Sequence, residues 1–284
     1  MEGMRDLPST LETQSEQAQA KVAGSRRPVA FFVSSMLAGM YVGVAVVLMV
    51  SAAGPFAAAG DPATRLVSGG VFAVALTLVV FAGAELVTSA MMILAQGAIT
   101  ARIPWGSALG TMLFCFVGNL VGSMLFGALV VWSGVLTTNA AAGEMVGNLL
   151  NLKAGESAGS LFARGILCNI LVCVAIWAYN RLTSEAGKAI VIFWCLFAFI
   201  SSGFEHVVAN MTTFSIGVFS PDALTTWGEF ARNMLIVGLG NLVGGAVVVG
   251  LGYTVASGWN RTASASDLAA ESPVAQGSDR GPVP

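Results

Sequence analysis

The chain has 284 residues, of which 56% are hydrophobic and only 10% are charged, and its mean hydropathy is +0.79. A water-soluble domain carries about 25% charged residues, so this composition leaves too few ionic groups for a water-facing surface and predicts an integral membrane protein. The formal net charge of −2, without a basic stripe in the sequence, excludes a nucleic-acid partner.

The first 27 residues form a polar segment that we expect to lie in the cytoplasm. No short apolar core with a small-residue cleavage site opens the chain, so we expect no signal peptide. The stretch from Pro8 to Gly24 is rich in alanine and glutamine. This composition is typical of a weakly amphipathic helix at the membrane surface or of a disordered segment, and the sequence leaves both open.

Six apolar runs follow, near residues 29–51, 67–98, 107–135, 159–180, 189–219 and 231–257. Each is long enough for a transmembrane helix, which needs about 20 apolar residues. The longest polar interruption is 137–156, which we interpret as an extracytoplasmic loop. The sequence therefore predicts an all-α domain of six transmembrane helices over residues 28–257. The Ser-, Ala-, Gly- and Pro-rich tail 258–284 is predicted to be disordered and cytoplasmic.

The distribution of lysine and arginine predicts the orientation. An even number of spans places both termini on one side, and that side holds nine basic residues against four on the other. The four are Arg65, Lys153, Arg164 and Arg232. Because basic loops stay inside, both termini are predicted to be cytoplasmic.

Two runs, 67–98 and 189–219, offer roughly 30 apolar positions where about 20 suffice. Each has an acidic residue near its middle, Glu85 in the first and Glu205 in the second. A steep tilt would explain the length. A break in the helix would also explain it, and such breaks survive only where they are buried in protein or line a cavity.

An internal repeat favours the break. Gly83–Met91 and Gly203–Met211 share Gly, Glu and Met at identical spacing, offset by 120 residues, and Gly118-Asn-Leu-Val-Gly122 recurs unchanged at Gly240–Gly244, offset by 122. The chain is therefore predicted to consist of two three-span units, about 28–135 and 159–257. Because three is odd, the second unit must be inverted, and inverted repeats with discontinuous helices are a transport architecture.

Ionisable groups within the membrane are costly and usually functional. The candidates here are Glu85, Glu205 and His206, the only histidine. His206 either bonds to a carbonyl or faces a pore as a titratable donor. Glu85 and Glu205 are interpreted as structural braces, because a carboxylate at a new helix start can accept from free backbone N–H groups and would repel an anion in a pore.

Further candidates surround the predicted breaks. Four polar side chains can donate hydrogen bonds to a passing anion: Thr88, Ser89, Asn169 and Asn210. Four apolar side chains can narrow the path, although plain packing is the alternative for each: Phe72, Leu76, Val87 and Phe199. Lys153, in the longest predicted loop, either attracts anions or is simply solvated.

No nucleophile elbow, phosphate loop, zinc spacing or haem-ligand pair occurs in the sequence. We therefore expect no enzyme activity, no metal and no cofactor. A neutral-solute channel of the aquaporin type is a stronger alternative, since that fold also uses inverted repeats with broken helices. Its paired Asn-Pro-Ala turns are missing from this sequence.

Four segments resemble the signature sequences of the formate/nitrite transporter family: Gly83–Ser89, Gly165–Trp177, Ser202–Met211 and Gly240–Gly245. The resemblance covers about residues 15 to 257, and the block Phe-Glu-His-x-x-Ala-Asn-Met is highly specific. Three further segments are most similar to the nitrite-channel branch: Ala186–Ala189, Phe193–Phe199 and Ala209–Thr212.

The resemblance implies an aquaporin-like six-span protomer in a homopentamer, with one pore per subunit, in the bacterial cytoplasmic membrane. It implies nitrite as the substrate, with formate, hydrosulfide or a short monocarboxylate as alternatives, and protons as a possible second partner.

The resemblance also assigns roles to individual residues. It implies that His206 is the central pore histidine with Thr88 as its partner, that Lys153 attracts anions and that Asn169 is a pore-side amide. It implies hydrophobic constrictions at Leu76 and Phe199, with Phe72 nearby. The family often has Phe where this chain has Val87, so the cytoplasmic constriction is expected to be wider or differently shaped.

Overall fold

The computed structural model describes residues 3–259. Most of the predicted disordered tail, residues 260–284, therefore lies outside the described residues. Apart from one backbone bridge between Met4 and Leu182, all regular structure in residues 3–259 is helical.

The helices are α1 (Leu7–Ser25), α2 (Pro28–Ala58), α3 (Thr64–Phe72), α4 (Val74–Phe81), α5 (Val87–Ile99), α6 (Trp105–Ser133), α7 (Val135–Thr138), α8 (Ala140–Gly155), α9 (Ala158–Arg181), α10 (Glu185–Ser201), α11 (Val207–Phe219), α12 (Trp227–Leu242) and α13 (Gly252–Ala256). A π-helical segment, Val243–Leu251, joins α12 to α13.

Five stretches of the described chain are long and apolar enough to cross a membrane: Pro28–Ala58, Thr64–Phe81, Trp105–Ser133, Ala158–Arg181 and Trp227–Ala256. Two apolar helices, α5 and α11, are shorter, with 13 residues each. At 1.5 Å per residue each spans about 20 Å, which is less than the hydrocarbon core of about 30 Å. The prediction of an all-helical chain with several membrane-spanning segments is confirmed.

The N-terminal segment forms a helix, so the disordered alternative for 8–24 is wrong. The carboxylate of Asp6 accepts from the backbone N–H of Ser9 at 2.8 Å and caps α1. One face of α1 is buried against protein: Ala18 meets Gly97 of α5, and the hydroxyls of Ser15 and Thr100 lie 3.2 Å apart.

The polar stretch 137–156 is also helical over most of its length, contrary to the predicted loop. Asn139 caps α8 by accepting from the N–H of Ala142 at 3.3 Å. Met145, Val146 and Leu150 are buried, so α8 is held by an apolar face that the polar composition concealed. Lys153 consequently lies on a helix and not in a loop.

The chain leaves the helical path at two related places, after α4 and after α10. Gly83 and Gly203 adopt positive φ angles of 76° and 75°, which favour glycine because it has no Cβ. Two residues later, the N–H of Glu85 donates to the carbonyl of Ser34 in α2, and the N–H of Glu205 donates to the carbonyl of Arg164 in α9. The two interruptions are thus anchored by equivalent contacts.

Small residues bring the long helices together in pairs. A Cβ added to Gly122 of α6 would overlap the backbone of Met36 in α2, and one added to Gly240 of α12 would overlap the backbone of Phe162 in α9. Such close approach is typical of helix packing in membranes, where van der Waals contact drives association. The α2–α6 crossing contacts the first interruption, and the α9–α12 crossing contacts the second.

Candidate functional site

Two open cavities enter the protein near opposite ends of α9. The first vestibule has a volume of about 340 Å³ and is lined by Arg164 near the start of α9. The second vestibule has a volume of about 350 Å³ and is lined by Ile176 near the end of that helix. At 1.5 Å per residue, these two positions are roughly 18 Å apart along α9.

Between the vestibules lies a much smaller cavity of about 10 Å³, here called the constriction. It has room for about one water molecule. Nine residues line it: Val42, Phe72, Ala75, Leu76, Leu86, Val172, Leu196, Phe199 and His206. Phe72 and His206 also line the first vestibule, so they stand where that vestibule narrows.

Three of the four predicted narrowing residues, Phe72, Leu76 and Phe199, line the constriction. The rings of Phe72 and Phe199 meet edge to face at 5.8 Å between centroids, and Phe199 stacks on the imidazole of His206 at 5.9 Å. These contacts fix the aromatic rings beside the imidazole.

Val87, the fourth, lines a different cavity, an apolar groove of about 600 Å³ between α6 and α12. The preceding residue, Leu86, takes its place at the constriction. Leu86 has extended backbone angles (φ −103°, ψ 126°), and successive side chains of an extended chain point in opposite directions. The expectation that Val87 shapes the constriction is therefore wrong.

The imidazole of His206 is held on both sides. Its Nδ1 accepts from the backbone N–H of Ala209 at 3.2 Å, which caps α11, and its Nε2 lies 3.0 Å from the hydroxyl of Thr88. Because Nδ1 is an acceptor, the proton of the neutral ring is on Nε2 and points to Thr88. Both side chains are buried, and they come from opposite interruptions.

The other predicted donors are largely occupied by protein groups. Asn169 uses its amide N–H groups on the carbonyls of Thr88 (3.1 Å) and Asn241 (2.7 Å), and it lines neither the vestibules nor the constriction. Backbone carbonyls therefore already accept from its amide N–H groups, which leaves them no free donor for an anion in this structure.

Ser89 and Asn210 each line a vestibule but donate to protein acceptors. The hydroxyl of Ser89 donates to the carbonyl of Leu86 at 3.0 Å beside the second vestibule. The amide of Asn210 donates to Glu205 (2.6 Å) and Asn233 (2.8 Å) beside the first.

Each vestibule contains a lysine–glutamate pair. Lys153 bonds both carboxylate oxygens of Glu205 at 2.6 and 2.7 Å in the first, and Lys21 pairs with Glu85 in the second. Lys21 is contributed by α1, a contact that the sequence did not suggest. Lys153 does line the first vestibule, but with its charge compensated.

The carboxylates of Glu85 and Glu205 do not accept from the backbone N–H groups at the starts of α5 and α11, although the sequence led us to expect this. Asn119 and Asn241, the asparagines of the repeated Gly-Asn-Leu-Val-Gly motif, make these contacts instead. The side-chain oxygen of Asn119 accepts from the N–H of Val87 at 2.9 Å, and that of Asn241 accepts from the N–H of Val207 at 2.9 Å. The backbone donors are thus satisfied by neutral amides, which leaves the carboxylates free to pair with lysines.

The amide nitrogens of these asparagines complete two matching sets of three hydrogen bonds, one around Asn119 and one around Asn241, here called the asparagine brackets. Asn119 donates to the carbonyls of Ser35 (2.7 Å) and Glu85 (2.8 Å). Asn241 donates to the carbonyls of Gly165 (2.7 Å) and Glu205 (2.9 Å). Each asparagine ties one interruption to a long neighbouring helix, and the exact recurrence of the motif was the available sequence signal.

The sequence profile described as formate/nitrite transporter matches residues 8–255. This chain belongs to the formate/nitrite transporter family. It is 41% identical over 238 residues to the nitrite transporter NirC of Escherichia coli K12, a match that covers 82% of this chain and 85% of the relative. It is 31% identical over 268 residues to the formate channel FocA of the same strain, a match that covers 88% of this chain and 93% of that relative.

Solved structures agree with this assignment. A channel described as an FNT family ion channel superposes with a TM-score of 0.80 at 38% identity, covering 87% of this chain and 98% of that one. A structure described as a pentameric formate channel with formate bound gives a TM-score of 0.69 at 26% identity, a match that covers 81% of this chain and 98% of that one. The family resemblance inferred from the four sequence segments is confirmed.

Proposed function

We propose that this member of the formate/nitrite transporter family carries a small monovalent weak-acid anion, nitrite, through a path inside each protomer. The observation that carries the proposal is that His206, which is bonded to Thr88, lines a constriction between two polar vestibules. Nitrite is favoured over formate because identity to the relative named as a nitrite transporter is 41%, against 31% for the relative named as a formate channel.

The proposed architecture is an aquaporin-like bundle of six spans in two inverted units of three, with the second and fifth spans broken. The equivalent anchors of Glu85 and Glu205 and the matching asparagine brackets support it. We assign residues 1–27 to a cytoplasmic segment, 28–257 to the channel domain and 258–284 to a cytoplasmic tail. A homopentamer is proposed from the relative whose structure is described as pentameric.

We place the protein in the bacterial cytoplasmic membrane, surrounded by lipid, with both termini in the cytoplasm. The excess of basic residues on that side supports this orientation, as do relatives that come from bacteria. The first vestibule then faces outward, and the second faces the cytoplasm.

In the proposed mechanism, the apolar constriction excludes a hydrated anion, because burying an unpaired charge costs far more than burying a neutral molecule. At its edge the anion replaces the Thr88 hydroxyl as the acceptor of Nε2–H of His206, and the released hydroxyl donates to the anion. Protonation yields the neutral acid, which passes Phe72, Leu76 and Phe199. The proton comes directly from water, or it is relayed through His206, in which case Nδ1 takes up a proton from water as Nε2 gives one to the anion. The N–H of Ala209 on Nδ1 favours the donor role, since a second ring proton would break that bond.

The remaining predicted residues take supporting roles. Ser89 and Asn210 shape the vestibules, and Lys153 stabilises the first. Glu85 and Glu205 brace the interruptions through their lysine partners, and Asn169 positions the backbone at Thr88. Transport of this kind needs no bond to be made or broken in the solute beyond proton transfer, so we propose neither an enzymatic activity nor a metal or other cofactor.

The proposal is tested by uptake of nitrite and of formate into proteoliposomes at several external pH values. Nitrite flux well above formate flux, and rising as pH falls, is expected. Comparable fluxes would replace nitrite selectivity by a general monovalent-anion channel. Water permeation without either flux would overturn the anion proposal in favour of an aquaporin-like channel. A His206→Asn variant with full, equally pH-dependent flux would overturn the proton role of His206.

A further inference from the structure

The two vestibules differ in their charged groups. The first is lined by three cations and two carboxylates: Arg65, Lys153, Arg164, Glu156 and Glu205. The second is lined by one cation and one carboxylate, Lys21 and Glu85. One positive charge therefore remains uncompensated in the first vestibule, and none in the second.

All but one of these charged side chains are paired. The pairs in the first vestibule are Lys153 with Glu205 at 2.6 Å and Arg164 with Glu156 at 2.5 Å, and the pair in the second is Lys21 with Glu85. Two opposite charges this close act on a distant anion only as a short dipole, because their Coulomb contributions nearly cancel. The paired lysine of the first vestibule, Lys153, is therefore a weak attractor of anions.

Arg65 is the exception. Among residues 3–259, no carboxylate lies within ion-pair distance of its guanidinium. The nearest acidic residue in sequence, Asp61, accepts from the backbone N–H of Ala63 at 2.7 Å and forms no ion pair. The side chain of Arg65 is exposed at the vestibule, so its charge faces water and any approaching solute.

The position of Arg65 relates it directly to the constriction. It lies in the first turn of α3, whose last residue is Phe72, so the two are roughly 10 Å apart along one helix. The carbonyl of Arg65 accepts from the hydroxyl of Ser201 at 3.2 Å, which ties this turn to α10. An anion held by Arg65 would therefore sit about two helical turns above the narrowing.

We infer that Arg65 is the residue that captures the anion at the first vestibule, and that capture is asymmetric because the second vestibule has no unpaired cation. The inference rests on the proposed anion transport. The planar guanidinium suits it chemically, since its two parallel N–H donors match the two oxygens of a bent or planar monovalent anion. Lys153 is then a structural partner of Glu205.

The test is nitrite influx into oriented proteoliposomes at low ionic strength, measured separately from each side. For Arg65→Gln we expect KM from the first-vestibule side to rise about fivefold, the gain from one solvated charge at contact distance. The maximal rate and the KM from the other side should not change. High salt should remove the difference, because the Debye length falls to about 3 Å at 1 M.

Two further variants separate charge from structure. Arg65→Lys keeps the charge and should recover most of the affinity, whereas Arg102→Gln, an exposed arginine outside both vestibules, should behave as wild type. An unchanged KM for Arg65→Gln, or an equal rise from both sides, would overturn the inference while leaving nitrite transport intact. Absence of nitrite flux in the wild type would instead overturn the proposed function.

Discussion

The asparagine brackets give the sharpest test of how the site is held. In Asn241→Leu, a side chain with the same number of heavy atoms replaces a fully buried amide that makes three hydrogen bonds. The substitution leaves the N–H of Val207 and the carbonyl of Glu205 without this partner, and both flank His206 in the chain.

The expected cost follows from these contacts. Each buried polar group left without a partner costs about 1–3 kcal/mol. Two such groups give a loss of about 2–6 kcal/mol, of which relaxation of the backbone returns a part. Because the same bonds fix the residues on either side of His206, we also expect nitrite flux to fall together with stability.

Thermal unfolding in detergent and nitrite flux in proteoliposomes measure the two effects. Asn119→Leu removes the equivalent bonds of the first interruption and should lower stability to a similar extent. Asn139→Ser keeps an oxygen for the cap of α8 and should stay within about 0.5 kcal/mol of wild type. If Asn241→Leu were as stable and as active as Asn139→Ser, the hydrogen bonds of Asn241 would not be what holds the backbone on either side of His206.

Three further substitutions follow from the packing and pairing. Thr88→Val removes the hydroxyl beside the imidazole of His206 and should reduce nitrite flux about tenfold, while Thr88→Ser should retain most of it. Gly122→Ala would overlap a backbone oxygen of α2 and should lower stability by about 1–3 kcal/mol, whereas Gly110→Ala in the same helix meets no atom and should be neutral or stabilising in thermal unfolding. Glu205→Gln leaves the partly buried Lys153 without a counter-charge and should cost about 3 kcal/mol. Adding Lys153→Met should recover most of the thermal stability, and failure to recover would contradict a structural role for the pair.

Much of the fold could be predicted because the membrane imposes a length on apolar segments. The predicted runs 107–135 and 159–180 match α6 and α9 to within two residues at each end. The overlong runs were informative for the same reason: Glu85 and Glu205 fall where the chain leaves the helix. Helix α8 was missed, because its buried apolar face is short and interrupted by polar residues that dominate the local composition.

The site was predicted less completely, because residue type does not determine which atom a side chain reaches. The repeat drew attention to the Gly-Asn-Leu-Val-Gly motif, but only coordinates could assign the backbone contacts to Asn119 and Asn241. Likewise, Leu86 and Val87 are equally apolar, and the extended backbone at Leu86 decides which one faces the constriction. The lysine partners come from segments distant in sequence, so no local pattern could reveal them.

Passage of nitrite through the constriction inside each protomer is tested most directly by obstructing that cavity. Leu76 lines a space of about 10 Å³, so Leu76→Trp should close it, whereas Leu235→Trp places the same bulk in the open groove between α6 and α12. We expect Leu76→Trp to abolish nitrite flux into proteoliposomes and Leu235→Trp to preserve it, with the oligomer intact in both. Full flux through Leu76→Trp would show that the anion takes another route.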